Sequence, residues 1–491
     1  MILLIVIAPL LGALLILLGA PARRTALFAA GVTLILTLVA FVRFNSAQAF
    51  DFVTSFPIVP EFHLNFTVGV DGLSLTMVLL AAIVTVAAIW FAGTVERSED
   101  AFYVCLLLIS GGTIGAFASL DLFFFYAFHE LALIPTFLLI GIWGSGNRTA
   151  AAWKVTIYLG LGSFVLLIGL IMLYLSFPVE SRTFDMRDFK TLASQISPAA
   201  QRNIFLVLLI GFGSLISLFP FHSWAPEAYA SAPAPAAMLH AGVLKKFGLY
   251  GLLRLALPLL PAGLQYWTNL LIVLLLGNII YIGLVTIAQK RLDWMLGYSS
   301  VMHMGYIFLG IATAGVLGTT GAAILMFAHG LSIALLFAVA GELRKQTGTL
   351  IFEDLGGLAK VMPLAGIAFG FGAFAAIGLP GFANFAAEIM VFFGSFQKGW
   401  TLDRFHLFQF ATVLALWGVV ISAVYMLRAY RSAFMGTMPE RWNAVVDFKQ
   451  SLRVPVVLLI GALIWFGFFP QSLVSVVSPT LRSSLTTTTA P

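Results

Sequence analysis

The stretch "LDLFFFYAFHELALIPTFLLIGIWG", Leu120 to Gly144, decides what kind of molecule this is. It is long enough to cross a bilayer core, which takes about 20 apolar residues. Yet His129 and Glu130 sit near its middle. A charge at the bilayer centre costs roughly 2.5–3.5 kcal/mol on insertion scales, so such a residue faces a bundle interior or water and usually has a partner.

The rest of the chain is of the same kind. Its 491 residues are 61% hydrophobic and only 9% charged, against roughly a quarter charged in a soluble domain. The mean hydropathy is +1.03. Apolar runs of spanning length recur from end to end, about fourteen of them. The expected fold is all-α, a single polytopic membrane domain over 1–491 embedded in lipid. Long continuous runs exclude a transmembrane barrel, whose strands are short and alternating. The opening "MILLIVIAPLLGALLILLGAPARR" has no basic n-region and no small-residue cleavage pattern, so it reads as a retained span rather than a signal peptide.

Several function classes drop out. The single cysteine, Cys105, lies inside an apolar run, which argues against disulfides, iron–sulfur clusters and thiol-ligated zinc. No Gly-rich phosphate loop with a lysine is present, nor a dinucleotide fingerprint. The net charge of +6 fits the positive-inside bias of membrane proteins better than nucleic-acid binding. Arg23 and Arg24, Arg148 and Lys154, Lys290 and Arg291, then Arg344, Lys345 and Lys360, then Arg431, Arg441 and Lys449 fall in alternate loops. That pattern places these loops in the cytoplasm and both termini on the outer side.

Two spans carry breaks. "SLISLFPFHSWAPEAYASAPAPAAMLHAG" contains Pro220, Pro226, Pro233 and Pro235, and "FAAIGLPGFANFAAEIMVFFG" contains Gly378, Pro380 and Gly381. Proline removes an amide donor and clashes with the preceding turn. In lipid, the freed backbone groups must be buried in protein or line a wet cavity. A broken span in each half is the mark of repeat-built transporters with sites near the midplane.

The ionisable residues inside spans are the sharper signal. Besides Glu130 they are Lys245, Lys246, His303, His329 and Glu388, with His129, His222 and His240 as accessory candidates. Any one of the histidines has an ordinary structural reading, as a packed and hydrogen-bonded residue. As a set, acids, bases and imidazoles in separate spans make a proton relay: histidine titrates near neutral pH, and burial and neighbouring charges bring Lys and Glu into that range. His129 and Glu130 are adjacent and point about 100° apart on a helix; Glu130 is expected to face the interior. Lys245 and Lys246 diverge in the same way. The histidines are too scattered in sequence for a metal site.

In order along the chain, "VDGLSLTMVLL" (70–80), "FHELALIPTFLLIGIWG" (128–144), "FPFHSWAPEAY" (219–229), "AGVLKKFGLYGLLR" (241–254), "GYSSVMHMGY" (297–306), "FAHGLSIALLF" (327–337) and "GLPGFANFAAEIMVFFGSF" (378–396) resemble the antiporter-like subunits of respiratory complex I. The resemblance implies fourteen spans and two inverted five-helix repeats, here 101–257 and 267–434, each with a discontinuous helix. It implies a proton-translocating membrane-arm subunit of an NADH-quinone oxidoreductase in the bacterial inner membrane, without a redox centre of its own. FMN, iron–sulfur clusters and quinone would belong to other subunits, and L-type and N-type subunits would be its partners. Glu388 stands where L and N types carry lysine, which matches the M-type (chain 4) branch. A cation/proton antiporter subunit or a membrane-bound hydrogenase subunit of the same family is the alternative.

Carried over by this likeness, the proton pathway would run from Glu130 through Lys246, His303 and His329 to Glu388. Lys245 has no usual counterpart. The family's lysine five residues before Pro220 is replaced by Leu215, so either the counter-charge of Glu130 comes from Lys245 or Lys246, or Glu130 stays protonated much of the time. Arg291-Leu292-Asp293 reverses the charges of the family's Asp-Leu-Lys; the swap either preserves a loop pairing or means nothing.

Overall fold

The computed structural model describes residues 1–62, 64–401 and 405–485, without the side chain of Phe62. The chain is mostly helical, in the order α1 (Ile2–Leu17), α2 (Ala22–Arg43), β1 (Asp51–Val59), β2 (Leu64–Val70), α3 (Gly72–Ala92), α4 (Glu99–Ala118), α5 (Leu122–Trp143), α6 (Arg148–Leu175), α7 (Phe189–Leu192), α8 (Pro198–Ile216), α9 (Trp224–Ser231), α10 (Ala234–Leu239), α11 (Lys246–Gly251), α12 (Leu257–Leu259), α13 (Pro261–Leu276) and α14 (Gly283–Ala288). It continues with α15 (Leu292–Ala312), α16 (Val316–Thr347), α17 (Pro363–Ile377), α18 (Ala383–Gln397), α19 (Leu407–Phe434), α20 (Arg453–Phe468) and α21 (Gln471–Leu485). Among the described residues, 11 helices are long and apolar enough to span a membrane, and α1 and α17 are shorter apolar helices.

Burial separates a core from a shell. The apolar stretches of α3, α4, α15 and α16 are 89–100% buried, whereas those of α5, α6, α19 and α20 are 28–39% buried. The 32-residue α16 is the central post: α3, α15, α17, α18, α20 and α21 all pack on it. Small residues let backbones close on one another, as membrane packing requires. A Cβ on Gly330 of α16 would meet the Gly242 carbonyl oxygen at 2.6 Å. That crossing brings the segment before α11 onto the centre of the bundle.

Three findings depart from the sequence reading. The connection 44–70 holds an antiparallel hairpin, with Phe56 opposite Phe66 and Asp51 opposite Val70; the short alternating runs "DFVTSFPIV" and "LNFTVGV" carry that signal. The last apolar run, 453–476, is long enough for one span yet holds two helices, separated at Phe469-Pro470. In α21, Leu473, Val477, Leu481 and Leu485 are buried at four-residue spacing, so it is amphipathic and lies along the bundle. Its Thr480 hydroxyl accepts from the Gly72 amide at the start of α3, 3.0 Å away.

Both breaks occur where the prolines place them. α8 ends with Ser217 at φ +67, and α17 ends with Gly378 at φ +78. Each is followed within three residues by a proline, Pro220 and Pro380. The freed groups are satisfied inside the protein. At the first break the Phe219 amide donates to Asn278 Oδ1 (2.7 Å), and Asn278 Nδ2 donates to the carbonyls of Ser217 (3.1 Å) and Val301 (2.8 Å). Between α10 and α11 the Lys245 amide reaches back five residues to the His240 carbonyl (3.0 Å). This wide turn is of the kind that marks functional positions.

Candidate functional site

Lys246 is fully buried, and its Nζ donates to the Ala241 carbonyl at 2.7 Å and to His329 Nδ1 at 2.9 Å. Accepting from an ammonium requires a bare imidazole nitrogen, so a charged Lys246 fixes the His329 tautomer with its proton on Nε2. The His329 and His303 rings follow at 5.4 Å between centroids. His303 is held at both nitrogens: Nδ1 lies 2.8 Å from the Ser299 carbonyl and Nε2 2.8 Å from the Ala376 carbonyl. The last turn of a helix leaves its carbonyls unpaired. Ala376 is in the last turn of α17, so His303 completes the end of the second broken helix. Three of the predicted residues, from three separate parts of the chain, thus form one buried unit.

Glu388 reaches the same break from the other side. It is buried on α18, with its carboxyl against Gly378; a Cβ there would meet Glu388 Oε2 at 2.2 Å. Only a glycine seats that carboxyl, and φ +78 at Gly378 favours glycine independently. The Ala376 carbonyl that accepts from His303 is two residues away along α17.

The first half is arranged differently from expectation. His129, not Glu130, faces inward: it is 2% exposed and stacks on Phe247 at 4.0 Å, while the Glu130 side chain is 38% exposed. The 100° between neighbours resolves in favour of the ring because an imidazole face packs on an aromatic one, whereas a carboxylate cannot. Glu130 is paired with neither Lys245 nor Lys246. It accepts from the Ser163 hydroxyl on α6, which also lies 3.2 Å from the Tyr126 hydroxyl, and His129 Nδ1 is 3.7 Å away. Leu215 is buried on the same α6–α8 contact, 3.5 Å from where a Cβ on Gly162 would stand. A hydroxyl pair therefore serves Glu130 beside the position of the missing lysine.

The two lysines do diverge. Lys245 turns to α15 and donates to the Ser300 carbonyl (3.3 Å) and hydroxyl (3.5 Å). Of the accessory histidines, His240 Nδ1 meets the Tyr229 hydroxyl at 3.1 Å, and His222 stacks on Phe219 at 5.6 Å.

Sequence reading missed Ser163, Tyr229 and Asn278, which are common residues without spacing of their own. It also missed the Asp71–Arg254 pair and the part of Arg344 in a second cluster. Asp71 caps α3 by accepting from the Ser74 amide (2.9 Å) and pairs with Arg254 at 2.5 Å. Asp293 lies between Arg291 (2.8 Å) and Arg344. The reversed charges at 291–293 thus do retain a pairing. Arg344 also donates to the Ser145 hydroxyl (2.8 Å) and the Ala230 carbonyl (3.0 Å). This gathers several of the basic loops on one face of the bundle, as their alternation along the chain requires. Among the described residues, no three His, Cys, Asp or Glu side chains are grouped to hold a metal ion.

Comparison with known proteins gives a consistent picture. The family model described as "NADH:quinone oxidoreductase/Mrp antiporter, TM" matches residues 119–415. The F(420)H(2) dehydrogenase subunit M of Methanosarcina mazei is 36% identical over 89% of this chain and 88% of its own. The NADH-quinone oxidoreductase subunit M of Rickettsia conorii is 33% identical over 92% of this chain and 90% of its own. A chain of respiratory complex I from Thermus thermophilus superposes with a TM-score of 0.90 at 28% identity, covering 100% of both chains. The Mrp complex from Dietzia sp. provides a fold match alone, with a TM-score of 0.85 at 19% identity over 99% of this chain and 97% of that one. With the family model matched over residues 119–415 and two relatives more than 30% identical over about nine-tenths of both chains, each named as a subunit M, this chain belongs to the NADH:quinone oxidoreductase/Mrp antiporter family of membrane subunits.

Proposed function

We propose that the chain is the M-type proton-translocating subunit of a quinone-reducing respiratory complex in the bacterial inner membrane, with both termini outside and L-type and N-type subunits as neighbours. The observation that carries this reading is the buried contact of Lys246 with His329, 2.9 Å, continued by His303 towards the second broken helix. In this reading Lys246 holds the central proton, His329 and His303 pass it on, and Glu388 releases it outward. Glu130 sets the charge at the other end. Energy comes from quinone reduction in other subunits, transmitted as a shift between states of different proton affinity. The segments 101–257 and 267–434 are the two inverted repeats; the matching breaks after Ser217 and Gly378 support that division.

The electron donor is set by other subunits. Relatives of near-equal identity are named for NADH and for F(420)H(2), which fits a chain whose own part is proton movement. A cation/proton antiporter remains the second reading, supported by the fold match to an Mrp complex; Glu388, in place of lysine, favours the first.

The test is Lys246→Ala in the assembled complex. Quinone reductase turnover and proton uptake are measured in sealed vesicles after assembly is confirmed on a native gel. Loss of uptake with intact assembly is expected. Normal uptake would make the buried charges a scaffold only. Sodium-dependent exchange without quinone turnover would favour the antiporter.

A further inference from the structure

Lys245 lies off the line that Lys246 begins. No carboxylate of the described residues is within ion-pair distance of it. Its partners are the Ser300 carbonyl and hydroxyl, and its Nζ stands 5.6 Å from the centre of the Tyr229 ring. Tyr229 also lines a cavity of about 20 Å³, bounded towards the basic face of the bundle by Asp293 and Arg344. A site needs about 10–15 Å³ to hold one water, so one fits.

Two polar contacts stand in the wall of this cavity. Outside, Arg344 donates to the Asp293 carboxylate. Inside, the Tyr229 hydroxyl is tied to His240 Nδ1 at 3.1 Å, which fixes a ring that both lines the cavity and stands beside Lys245. Asp293 and Ser300 are seven residues apart on α15, so they lie on one helix face about 10 Å apart along the axis. The Arg344–Asp293 pair, the cavity, the Tyr229 ring and Lys245 are therefore neighbours in turn. A pump needs two closures, because a proton once loaded must not leak back.

We propose that Lys245 is the proton-loading residue of this chain, supplied from the basic face through the Asp293–Tyr229 cavity, with the Arg344–Asp293 pair as outer closure and the Tyr229–His240 bond as inner closure. The neutral amine of Lys245 takes one proton from a water that has passed the opened tyrosine and is itself reprotonated from the basic face, becomes the ammonium held by Ser300, and returns to the amine when that proton moves on to Lys246, which has by then given its own proton to His329. The inference rests on the proton-pumping reading above and deepens it. It gives a role to a lysine that the family resemblance leaves without a counterpart.

The experiment has a readout that does not depend on pumping. In the assembled complex, Cys105→Ser removes the single cysteine, and Ala237→Cys or Ala340→Cys places a thiol on the cavity wall. Vesicles of each orientation receive silver ion, a thiol-binding cation about the size of a water molecule, and labelling is read by mass spectrometry as protection of the thiol from later alkylation. Labelling is expected from the basic face alone, about tenfold faster when Arg344→Ala removes the charge-assisted closure. Separately, Lys245→Gln is expected to slow proton uptake by about a hundredfold, within the range a positioned proton-transfer group contributes, while uncoupled quinone reduction continues. Absence of labelling at both cysteines, or labelling from the opposite face, overturns the proposed route. Normal pumping in assembled Lys245→Gln, beside failed pumping in Lys246→Ala, overturns the loading role alone. Normal pumping in Lys246→Ala overturns the pumping reading and the loading role with it, while the labelling result still decides whether the cavity opens to the basic face.

Discussion

Nζ of Lys246 and Nδ1 of His329 are 2.9 Å apart because Gly242 and Gly330 let their backbones cross almost in contact. A Cβ on Gly330 would meet the Gly242 oxygen at 2.6 Å and Leu80 at 2.7 Å, whereas a Cβ on Gly242 would meet the Gly330 oxygen at 3.0 Å. The first clash cannot be absorbed without moving a helix. The second needs a few tenths of an ångström.

Gly330→Ala is therefore expected to be the more harmful of the two. Overpacking of this kind costs about 1–3 kcal/mol and should separate Lys246 from His329. The check is thermal stability of the assembled complex and its proton uptake, with Gly242→Ala in parallel. Equal effects of the two would show that the crossing does not set the pair.

At the second break, Gly378→Ala suffers twice. An alanine at φ +78 costs about 1–2 kcal/mol, and its Cβ displaces the Glu388 carboxyl. Adding Glu388→Ala should remove the second penalty and leave the first. The double variant should then be more stable than the sum of the single effects predicts, the non-additivity expected of residues in contact. Simple additivity in a thermal-shift series would refute the contact.

The Asp71–Arg254 pair is 2.5 Å long, with side chains only 2% and 10% exposed. Removing one partner of a buried pair costs about 3–5 kcal/mol, because the other charge is left without compensation. Arg254→Met should reduce the amount of assembled complex on a native gel, and Asp71→Asn/Arg254→Met should recover part of it. Asp71→Asn alone should be milder than Arg254→Met, since asparagine still caps α3.

Glu130→Gln should leave assembly unchanged, because the amide oxygen can still accept from Ser163. Proton uptake should nevertheless fall if the charge at 130 is what matters. Ser163→Ala separates the two roles by removing the donor and keeping the carboxyl. If Glu130→Gln pumps normally in assembled complex, the first half has lost its function together with the lysine at position 215, and the active part runs from Lys246 to Glu388.

Much of this was legible in the sequence. Spans follow from apolar length, because a bilayer forces every backbone group to be paired within a helix, and breaks follow from Pro220 and Gly378-Leu379-Pro380 because neither can continue one. Buried charges announced themselves by their cost. What linear order could not decide was which way adjacent residues face. Between His129 and Glu130 the choice was made by the Phe247 ring, and between Lys245 and Lys246 by a wide turn and the α16 crossing. Nor could it show that Asp293 is shared by two arginines, that His303 closes the end of α17, or that α21 folds along the bundle. These are contacts between residues far apart in the chain, chosen by packing and by the need of each buried polar group for a partner, and only the tertiary structure supplies those partners.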